Sequence, residues 1–111
     1  MARIAIDPGR LRAFARLEAA MPTPDGAGGH NENWAAVATV RLLLEPLAAR
    51  SDYSAEQLRE TATHRAIFRA RDDVSSGMRF IVRARPMAIL AIHDMDETAT
   101  HLVAVLQETG R

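Results

Sequence analysis

The sequence predicts a mainly β protein, a small antiparallel barrel or sandwich of about six strands. Apolar and polar residues alternate with a period of two in several segments, which is typical of strands with one buried face. Clusters of Gly, Pro, Asp and Asn separate these segments, as turns do between neighbouring antiparallel strands. The chain of 111 residues has room for one core, so we expect a single domain over residues 1–111.

The composition is that of an ordinary globular protein and argues against several functional classes. Hydrophobic residues make up 48% and charged residues 25%, which excludes a disordered tail, a fibre or a coiled-coil rod. The net charge is +0, whereas proteins that bind DNA on their own usually carry a basic excess. The absence of cysteine excludes disulfides, Cys-based zinc sites and thiol nucleophiles.

No targeting or membrane-spanning segment is predicted. Asp7 and Arg10 interrupt any apolar run near the N-terminus, so we expect no signal peptide. The longest clean apolar stretch, residues 87–92, is far shorter than the ~18 residues that suggest a spanning helix. We therefore expect a soluble protein that is made in the bacterial cytoplasm and has no membrane partner.

The first half of the chain predicts two long strands joined by a loop. In residues 11–19 the odd positions are all apolar, and Phe14 is the exception among the even positions. Residues 21–33 contain two Pro, three Gly and two Asn, a composition that predicts a loop. Residues 34–46 combine a β-branched run with a terminal Pro, which favours a second strand buried on both faces near residues 42–44.

The second half predicts one helical turn and four further strands. Residues 54–57, Ser-Ala-Glu-Gln, have the form of a capping box, so we expect a helical turn at residues 54–60. Gly77 can adopt positive φ in a polar turn, and Pro86 separates the fourth strand from the fifth. The predicted strands are residues 63–71, 78–83, 87–93 and 100–106.

Several short pieces of sequence, in one order, resemble a known family. They are Gly9-Arg-Leu-Arg12, Trp34-Ala-Ala-Val-Ala-Thr-Val40, Leu44-Glu-Pro-Leu47, Thr63-His-Arg65, Gly77-Met-Arg79 and the spacing of Ile89, Asp94 and Leu102. Together they resemble the head-tail joining family, also called head-closure or stopper proteins, of long-tailed phages and phage-derived gene transfer agents. The resemblance extends over residues 9–106.

This resemblance implies a structural virion protein rather than an enzyme. Such proteins are small β-barrels that assemble into a six- or twelve-fold ring beneath the portal and adaptor, in the neck of the particle. The ring closes the DNA-filled head and offers a platform for the tail. The implied partners are further copies of the chain, the portal or adaptor protein on the head side, the tail terminator on the tail side, and DNA that passes through the channel without sequence recognition. No cofactor is implied.

The resemblance also implies that residues 48–62 project from the barrel and help to gate the DNA channel. The side chains of this segment that we expect to contact the ring or the channel are Arg50, Asp52, Tyr53, Glu56, Gln57 and Arg59. The chain departs from the family pattern before the fifth strand, where relatives carry a Gly-Arg turn and this chain has Ala84-Arg85-Pro86. Because Ala is strained at positive φ, the resemblance leaves the geometry of this turn open.

Arginines on the third to fifth predicted strands are a candidate subunit interface or channel surface. If the strands on either side of residues 72–77 pair, these arginines form one basic face; an ordinary solvated barrel surface is the alternative. They are Arg65, Arg69, Arg71, Arg79, Arg83 and Arg85. The aromatic residues do not interleave with them as in a base-stacking platform, and Trp34, Phe68 and Phe80 are expected to be core anchors. Tyr53 is expected either against the barrel or on a neighbouring subunit.

No set of catalytic, cofactor-binding or metal-binding residues is predicted. His93, Asp94, Asp96 and His101 are the one cluster that suggests a divalent metal, and a polar hairpin turn explains the same residues. No Gly-x-Ser-x-Gly elbow and no phosphate-binding glycine loop is present. Two alternatives to a structural role stay open: a nucleic-acid-binding barrel of the oligonucleotide-binding type and a small metal-dependent hydrolase that uses this cluster.

Overall fold

Six antiparallel strands form the described part of the protein and confirm the predicted mainly β fold. The computed structural model describes residues 9, 11–24, 26, 28–47, 62–97 and 99–109. The strands are β1 (Ala13–Pro24), β2 (His30–Pro46), β3 (His64–Arg69), β4 (Arg79–Val82), β5 (Arg85–Asp94) and β6 (His101–Glu108). They close into a barrel in the order β1-β2-β3-β6-β5-β4, so that β4 returns to pair with β1.

The core lies inside the barrel, and every strand contributes two residues to it. In each strand these residues are separated by one position, because side chains two apart point to the same face of a sheet. They are Ala15 and Leu17, Val40 and Leu42, Ala66 and Phe68, Phe80 and Val82, Met87 and Ile89, and Ala104 and Leu106. Period-two alternation is therefore the pattern that this lumen requires of its strands.

Phe68 and Phe80 connect opposite walls of the barrel. In the closed strand order, β3 and β4 lie as far apart as two strands can, so their inward side chains meet across the lumen. Both side chains are fully buried, and their rings meet edge to face with centroids 5.5 Å apart and planes at 75°. Such pairs contribute about 0.5–1.5 kcal/mol beyond the burial of their area. The prediction that both are core anchors is confirmed.

The prediction of a loop at residues 21–33 is wrong for most of these residues. Residues 21–24 continue β1 and residues 30–33 continue β2, as far as a pair between Pro24 and His30. The connection is thus limited to residues 25–29. Cross-strand pairing that continues outward from the barrel overrides the turn preference of Pro, Gly and Asn.

Among the described residues, no third strand pairs with the outer part of this β1–β2 hairpin. β4 pairs only with residues 16–18 of β1, and β3 pairs only with residues 43–46 of β2. Pro22 and Pro24 are compatible with this position. Proline has no backbone N–H to donate, and it is therefore tolerated at a strand edge. Val37 has no partner on β1, which marks a β-bulge that bends the hairpin where it leaves the barrel.

The two-residue turn between β4 and β5 is strained. Val82 pairs with Arg85, and between them Arg83 and Ala84 have φ values of 53° and 65°. Two successive residues with positive φ are typical of a type I′ turn, in which Gly, Asn and Asp are usual. The left-handed conformation costs a residue with a Cβ roughly 1–2 kcal/mol. The turn thus keeps positive φ at Ala84, where the family pattern has Gly.

The end of β2 and the start of β3 are held together by backbone hydrogen bonds just beyond their paired residues. The Leu47 amide donates to the Thr63 carbonyl at 2.9 Å, and the Thr63 amide donates to the Leu106 carbonyl at 2.8 Å. The helical turn expected at residues 54–60 lies outside the described residues. So do the expected contact residues Arg50, Asp52, Tyr53, Glu56, Gln57 and Arg59. Among the residues that are described, no helix is long and apolar enough to cross a membrane.

We expect Phe80→Ala to lower the free energy of unfolding by about 3–5 kcal/mol, because it leaves a cavity in the lumen. Chemical denaturation followed by circular dichroism measures the loss. Phe14→Ala is the control, since Phe14 is 61% exposed, and it should change the free energy by less than about 1 kcal/mol. Equal effects of the two substitutions would contradict the assignment of Phe80 to the core.

We expect Ala84→Gly to raise the free energy of unfolding by about 1 kcal/mol, because glycine adopts positive φ without steric cost. Gly77→Ala is the matched opposite change: Gly77 has a φ of 92°, and nothing lies within 4 Å of an added Cβ. It should lower the free energy by about 1 kcal/mol through the backbone alone. Thermal unfolding measures both changes, and a lower melting temperature for Ala84→Gly would contradict strain at this turn.

Candidate functional site

The arginines predicted to share one basic face lie on opposite sides of the barrel. β3 pairs with β2 and β6, whereas β4 pairs with β1 and β5, so the strands on either side of residues 72–77 do not pair. The outward side chains of β3 and β4 point away from each other because the two strands form opposite walls. Arg65 and Arg69 therefore project from one wall and Arg79 from the other.

Most of these arginines contact a carboxylate. The shortest N–O distances are 2.6 Å for Arg65–Glu45 and for Arg71–Asp73, 2.7 Å for Arg79–Glu18 and 2.9 Å for Arg85–Glu108. The contacts of Arg71 and Arg85 are bidentate, which fixes their geometry. Arg71 also lowers the pKa of Asp73. Arg69 and Arg83 have no carboxylate partner in the described part of the chain.

A buried carboxylate on the outer surface is a feature that the sequence did not reveal. Leu17 and Phe80 pair across β1 and β4 with both side chains inward, so the next pair, Glu18 and Arg79, points outward. Glu18 is nevertheless only 6% exposed. Arg16 donates to it at 2.6 Å and Arg79 at 2.7 Å. The two arginines therefore enclose one carboxylate between them.

Trp34 completes this cluster and is not the core anchor that the sequence predicted. The Arg79 guanidinium lies 4.1 Å from the centroid of the Trp34 ring, and Trp34 is half-buried. Burial pushes the pKa of Glu18 up, but the hydrogen bonds and charges of Arg16 and Arg79 outweigh burial and hold the pKa below its ordinary value. The cluster joins the β1–β2 hairpin to β4 at the position where the hairpin leaves the barrel.

Exposed apolar side chains are concentrated on the first two strands. Within the described ranges, the large ones are Phe14, Met21, Val37 and Leu47, and all lie on β1, on β2 or directly after it. Phe14 contacts Arg41, whose guanidinium lies 5.5 Å from the ring centroid. Trp34 and Arg79 make a second aromatic–arginine contact, on a different part of the hairpin.

One end of the barrel opens into a cavity of about 480 Å³, which we call the mouth. It is lined by Arg12, Ala13, Leu42, Leu43, Leu44, Pro46, His64, Arg83 and Arg85. Nδ1 of His64 lies 2.9 Å from the hydroxyl of Thr63. Burial and the nearby charge of Arg85 lower the pKa of His64 below its ordinary value, so its imidazole is mostly neutral at neutral pH.

A second cleft, also of about 480 Å³, lies beside β2 and the end of β3. It is lined by Leu11, Thr39, Val40, Arg41, Arg69 and Arg71. Arg41 contacts Phe14, and Arg71 is neutralised by Asp73. Arg69 therefore remains as the cation of this cleft without a partner among the described residues.

The residues considered as a metal site, His93, Asp94, Asp96 and His101, lie at the turn between β5 and β6. The Asp94 carboxylate accepts hydrogen bonds from the amides of Asp96, Glu97 and Ala99 at 3.3, 2.9 and 2.9 Å. It thereby holds a turn in which Glu97 and Ala99 have positive φ. Where the structure describes the chain, no group of three His, Asp or Glu side chains is arranged to hold a metal ion.

We expect Glu18→Gln to lower the free energy of unfolding by about 1–3 kcal/mol at pH 7, because it removes the charge that two arginines share. The pKa of Glu18 is lowered in the folded protein, so its stabilising contribution is present above the unfolded value of 4.5. That contribution is lost as the pH falls through the folded value. The difference between wild type and variant should therefore shrink below about pH 4.5.

The control for this prediction is Glu45→Gln, which removes the carboxylate of the more exposed pair with Arg65. It should change the free energy of unfolding by less than about 1 kcal/mol, because surface ion pairs contribute little. Denaturation curves at pH 7 and at acidic pH measure both variants. Equal and pH-independent losses would show that the Glu18 cluster does not stabilise the barrel as a charged unit.

Comparisons with known proteins place this barrel among phage proteins. The chain matches the family described as phage head completion protein over residues 6–109. Its structure is similar to that of protein SF1141 from Shigella flexneri 2a, with a TM-score of 0.73, 22% identity, and coverage of 96% of this chain and 99% of that chain. At this identity, the likeness shows the fold alone.

A second solved structure is similar as well. It is a chain of the virion of a native gene transfer agent particle, with a TM-score of 0.59, 27% identity, and coverage of 86% of this chain and 93% of that chain. No curated protein matches the chain. The family match spans nearly the whole sequence, and the chain therefore belongs to the phage head completion protein family.

Proposed function

We propose that this protein is a head-tail connector, or stopper, that forms a ring below the portal and adaptor of a phage-like particle. A structural role in the phage head follows from the family, and the match over residues 6–109 is the observation that carries the proposal. The similarity to a chain of a gene transfer agent virion supports the same particle context. The ring closes the DNA-filled head and provides the platform for the tail. No catalytic step is part of this function.

The β1–β2 hairpin supports assembly with other chains. Its outer part pairs with no third strand in the described ranges and carries the exposed side chains of Met21 and Val37. The barrel buries its own core, so copies do not need one another to fold, and the hairpin is available for contacts that form on assembly. The proposed partners are further copies in a six- or twelve-fold ring, the portal or adaptor on the head side and the tail terminator on the tail side.

The placement of the arginines also fits a ring. A closed ring joins two different surfaces of the same chain, which lie on opposite sides of each copy. Arg65 and Arg69 lie on β3 and Arg71 comes shortly after it, whereas Arg79 lies on β4 and Arg83 and Arg85 lie at the turn into β5. Because β3 and β4 form opposite walls, we assign Arg65, Arg69 and Arg71 to the contact with one neighbouring copy and Arg79 to the contact with the other.

Residues 48–62 are proposed to project toward the channel and to help retain DNA, which passes without sequence recognition. The hydrogen bond between Leu47 and Thr63 holds the two ends of this segment together on the barrel. The segment can therefore be shortened without opening the pairing of β2 and β3. The proposed contacts with ring or channel are Arg50, Asp52, Tyr53, Glu56, Gln57 and Arg59.

We expect heads without this protein to lose packaged DNA and to fail to join tails. Heads that carry the protein with residues 52–59 deleted should contain it in full amount and still leak DNA, because the barrel contacts remain and the gate is shortened. Nuclease-protected DNA per purified head measures retention, and quantitative mass spectrometry measures the protein in each head.

Replacement of residues 52–59 by a Gly-Ser sequence of equal length separates the effect of side chains from that of segment length. Normal DNA retention by heads that contain the deleted protein in full amount would assign gating to another protein. Normal heads and tails in the complete absence of the protein would contradict the connector role itself.

A further inference from the structure

The mouth of the barrel combines an apolar floor with a cationic rim. Apolar residues from β1 and β2 line the floor: Ala13, Leu42, Leu43, Leu44 and Pro46. Arg12, Arg83 and Arg85 line the same cavity together with His64. A volume of about 480 Å³ is within the range of about 300–1,000 Å³ that is usual for ligand sites.

The positive charge of the rim is only partly neutralised within the described chain. Arg85 is held by a bidentate contact with Glu108, at 2.9 Å for both bonds. Arg12 donates to the Gly9 carbonyl and has no described carboxylate partner, and Arg83 has neither a hydrogen bond nor an ion pair to a described residue. Two guanidinium groups are therefore available for an anion.

The strained turn places one of these arginines in the rim. Arg83 and Ala84 adopt φ values of 53° and 65° although neither is Gly, Asn or Asp. Strain of this kind is retained where the surrounding structure requires it, and it often accompanies binding sites. Here it holds a charged side chain at a cavity, and no side chain in the described part of the chain pairs with it to account for its position.

The second cleft is a weaker candidate, although its size is the same. Its arginines Arg41 and Arg71 already contact Phe14 and Asp73, so only Arg69 is left without a partner in the described ranges. Its apolar lining consists of Leu11 and Val40 alone. The mouth has the larger apolar surface, and within the described residues neither of its two arginines without a carboxylate partner, Arg12 and Arg83, is stacked on an aromatic ring as Arg41 is in the second cleft.

We propose that the mouth binds a short acidic segment of a partner protein. A carboxylate of that segment pairs with Arg83 and Arg12, and an adjacent apolar side chain packs on the floor formed by β2. A phosphate backbone satisfies only the rim and leaves the floor uncovered. DNA-binding surfaces also rely on extended basic tracks, whereas this chain has a net charge of +0 and arginines on opposite walls.

Peptide titration of the isolated, isotope-labelled protein tests this assignment by amide NMR spectroscopy. The probe is acetyl-Leu-Glu-Leu-Asp-amide, and its control is the uncharged acetyl-Leu-Gln-Leu-Asn-amide. The acidic peptide should shift the amides of His64, Arg83, Ala84 and Arg85 with a Kd on the order of 1 mM, as is usual for a ligand of this size. The uncharged peptide should bind about tenfold more weakly, since it loses charge-assisted hydrogen bonds.

Two arginine variants locate the site. Arg83→Asn should weaken binding of the acidic peptide about tenfold, and it is compatible with the turn because Asn tolerates positive φ. Arg12→Gln should weaken binding in the same direction and does not alter the turn. Arg69→Gln, at the second cleft, is the control and should leave binding unchanged.

Several outcomes would overturn the proposal. They include no binding of the acidic peptide, equal binding of both peptides, full binding to Arg83→Asn and Arg12→Gln, and shifts centred on Arg69. A single-stranded oligonucleotide that shifts the same amides at lower concentration would assign the mouth to nucleic acid. Shifts at these amides on dilution without any peptide would assign it to a second copy of the chain. None of these results depends on whether the protein closes phage heads.

Discussion

Phe68 on β3 and Phe80 on β4 meet edge to face in the middle of the barrel, although their strands share no hydrogen bond. The contact fixes how far apart the two opposite walls lie, and the other inward pairs fill the space around it. It also fixes register, because side chains alternate between the two faces of a strand. A slip of one residue would turn Arg69 or Arg79 toward the lumen.

The same arrangement determines the outer surface. Because β3 and β4 form opposite walls, their arginines cannot form one patch, and each group lies on its own side of the barrel. Carboxylates neutralise most of these arginines, so the surface presents local ion pairs and a few unpaired cations rather than a continuous basic track. Such a surface suits contacts with neighbouring proteins better than contacts along a nucleic-acid backbone.

The β1–β2 hairpin is attached to the barrel by polar as well as apolar contacts. Glu18, enclosed by Arg16 and Arg79, lies beside the bulge at Val37, and Trp34 covers Arg79 from the hairpin side. The cluster of Glu18, its two arginines and Trp34 therefore connects three strands at the base of the extension. A hairpin anchored in this way projects in a defined direction, which fits the contacts with neighbouring subunits that we propose for it.

The presence of six strands along the chain, and the residues of each that face inward, follow from the sequence, because alternation is a local property of each strand. Phe68 and Phe80 were recognisable as core residues for the same reason. The extension of β1 through residues 21–24 and of β2 through residues 30–33 is not recognisable from the sequence. Its pairing begins in the barrel and continues through residues that favour turns.

The candidate sites depend on tertiary structure more than the strands and their inward faces do. Glu18 and Arg79 are separated by 61 positions in the chain, and no local pattern indicates that they form an ion pair or that Trp34 lies on the outside. The mouth likewise joins the start of β1, the end of β2 and the turn at Arg83 and Ala84. The sequence by itself determined which side chains face the lumen; only closure of the barrel decided which charges meet, because that depends on which strands become neighbours and which become opposite walls.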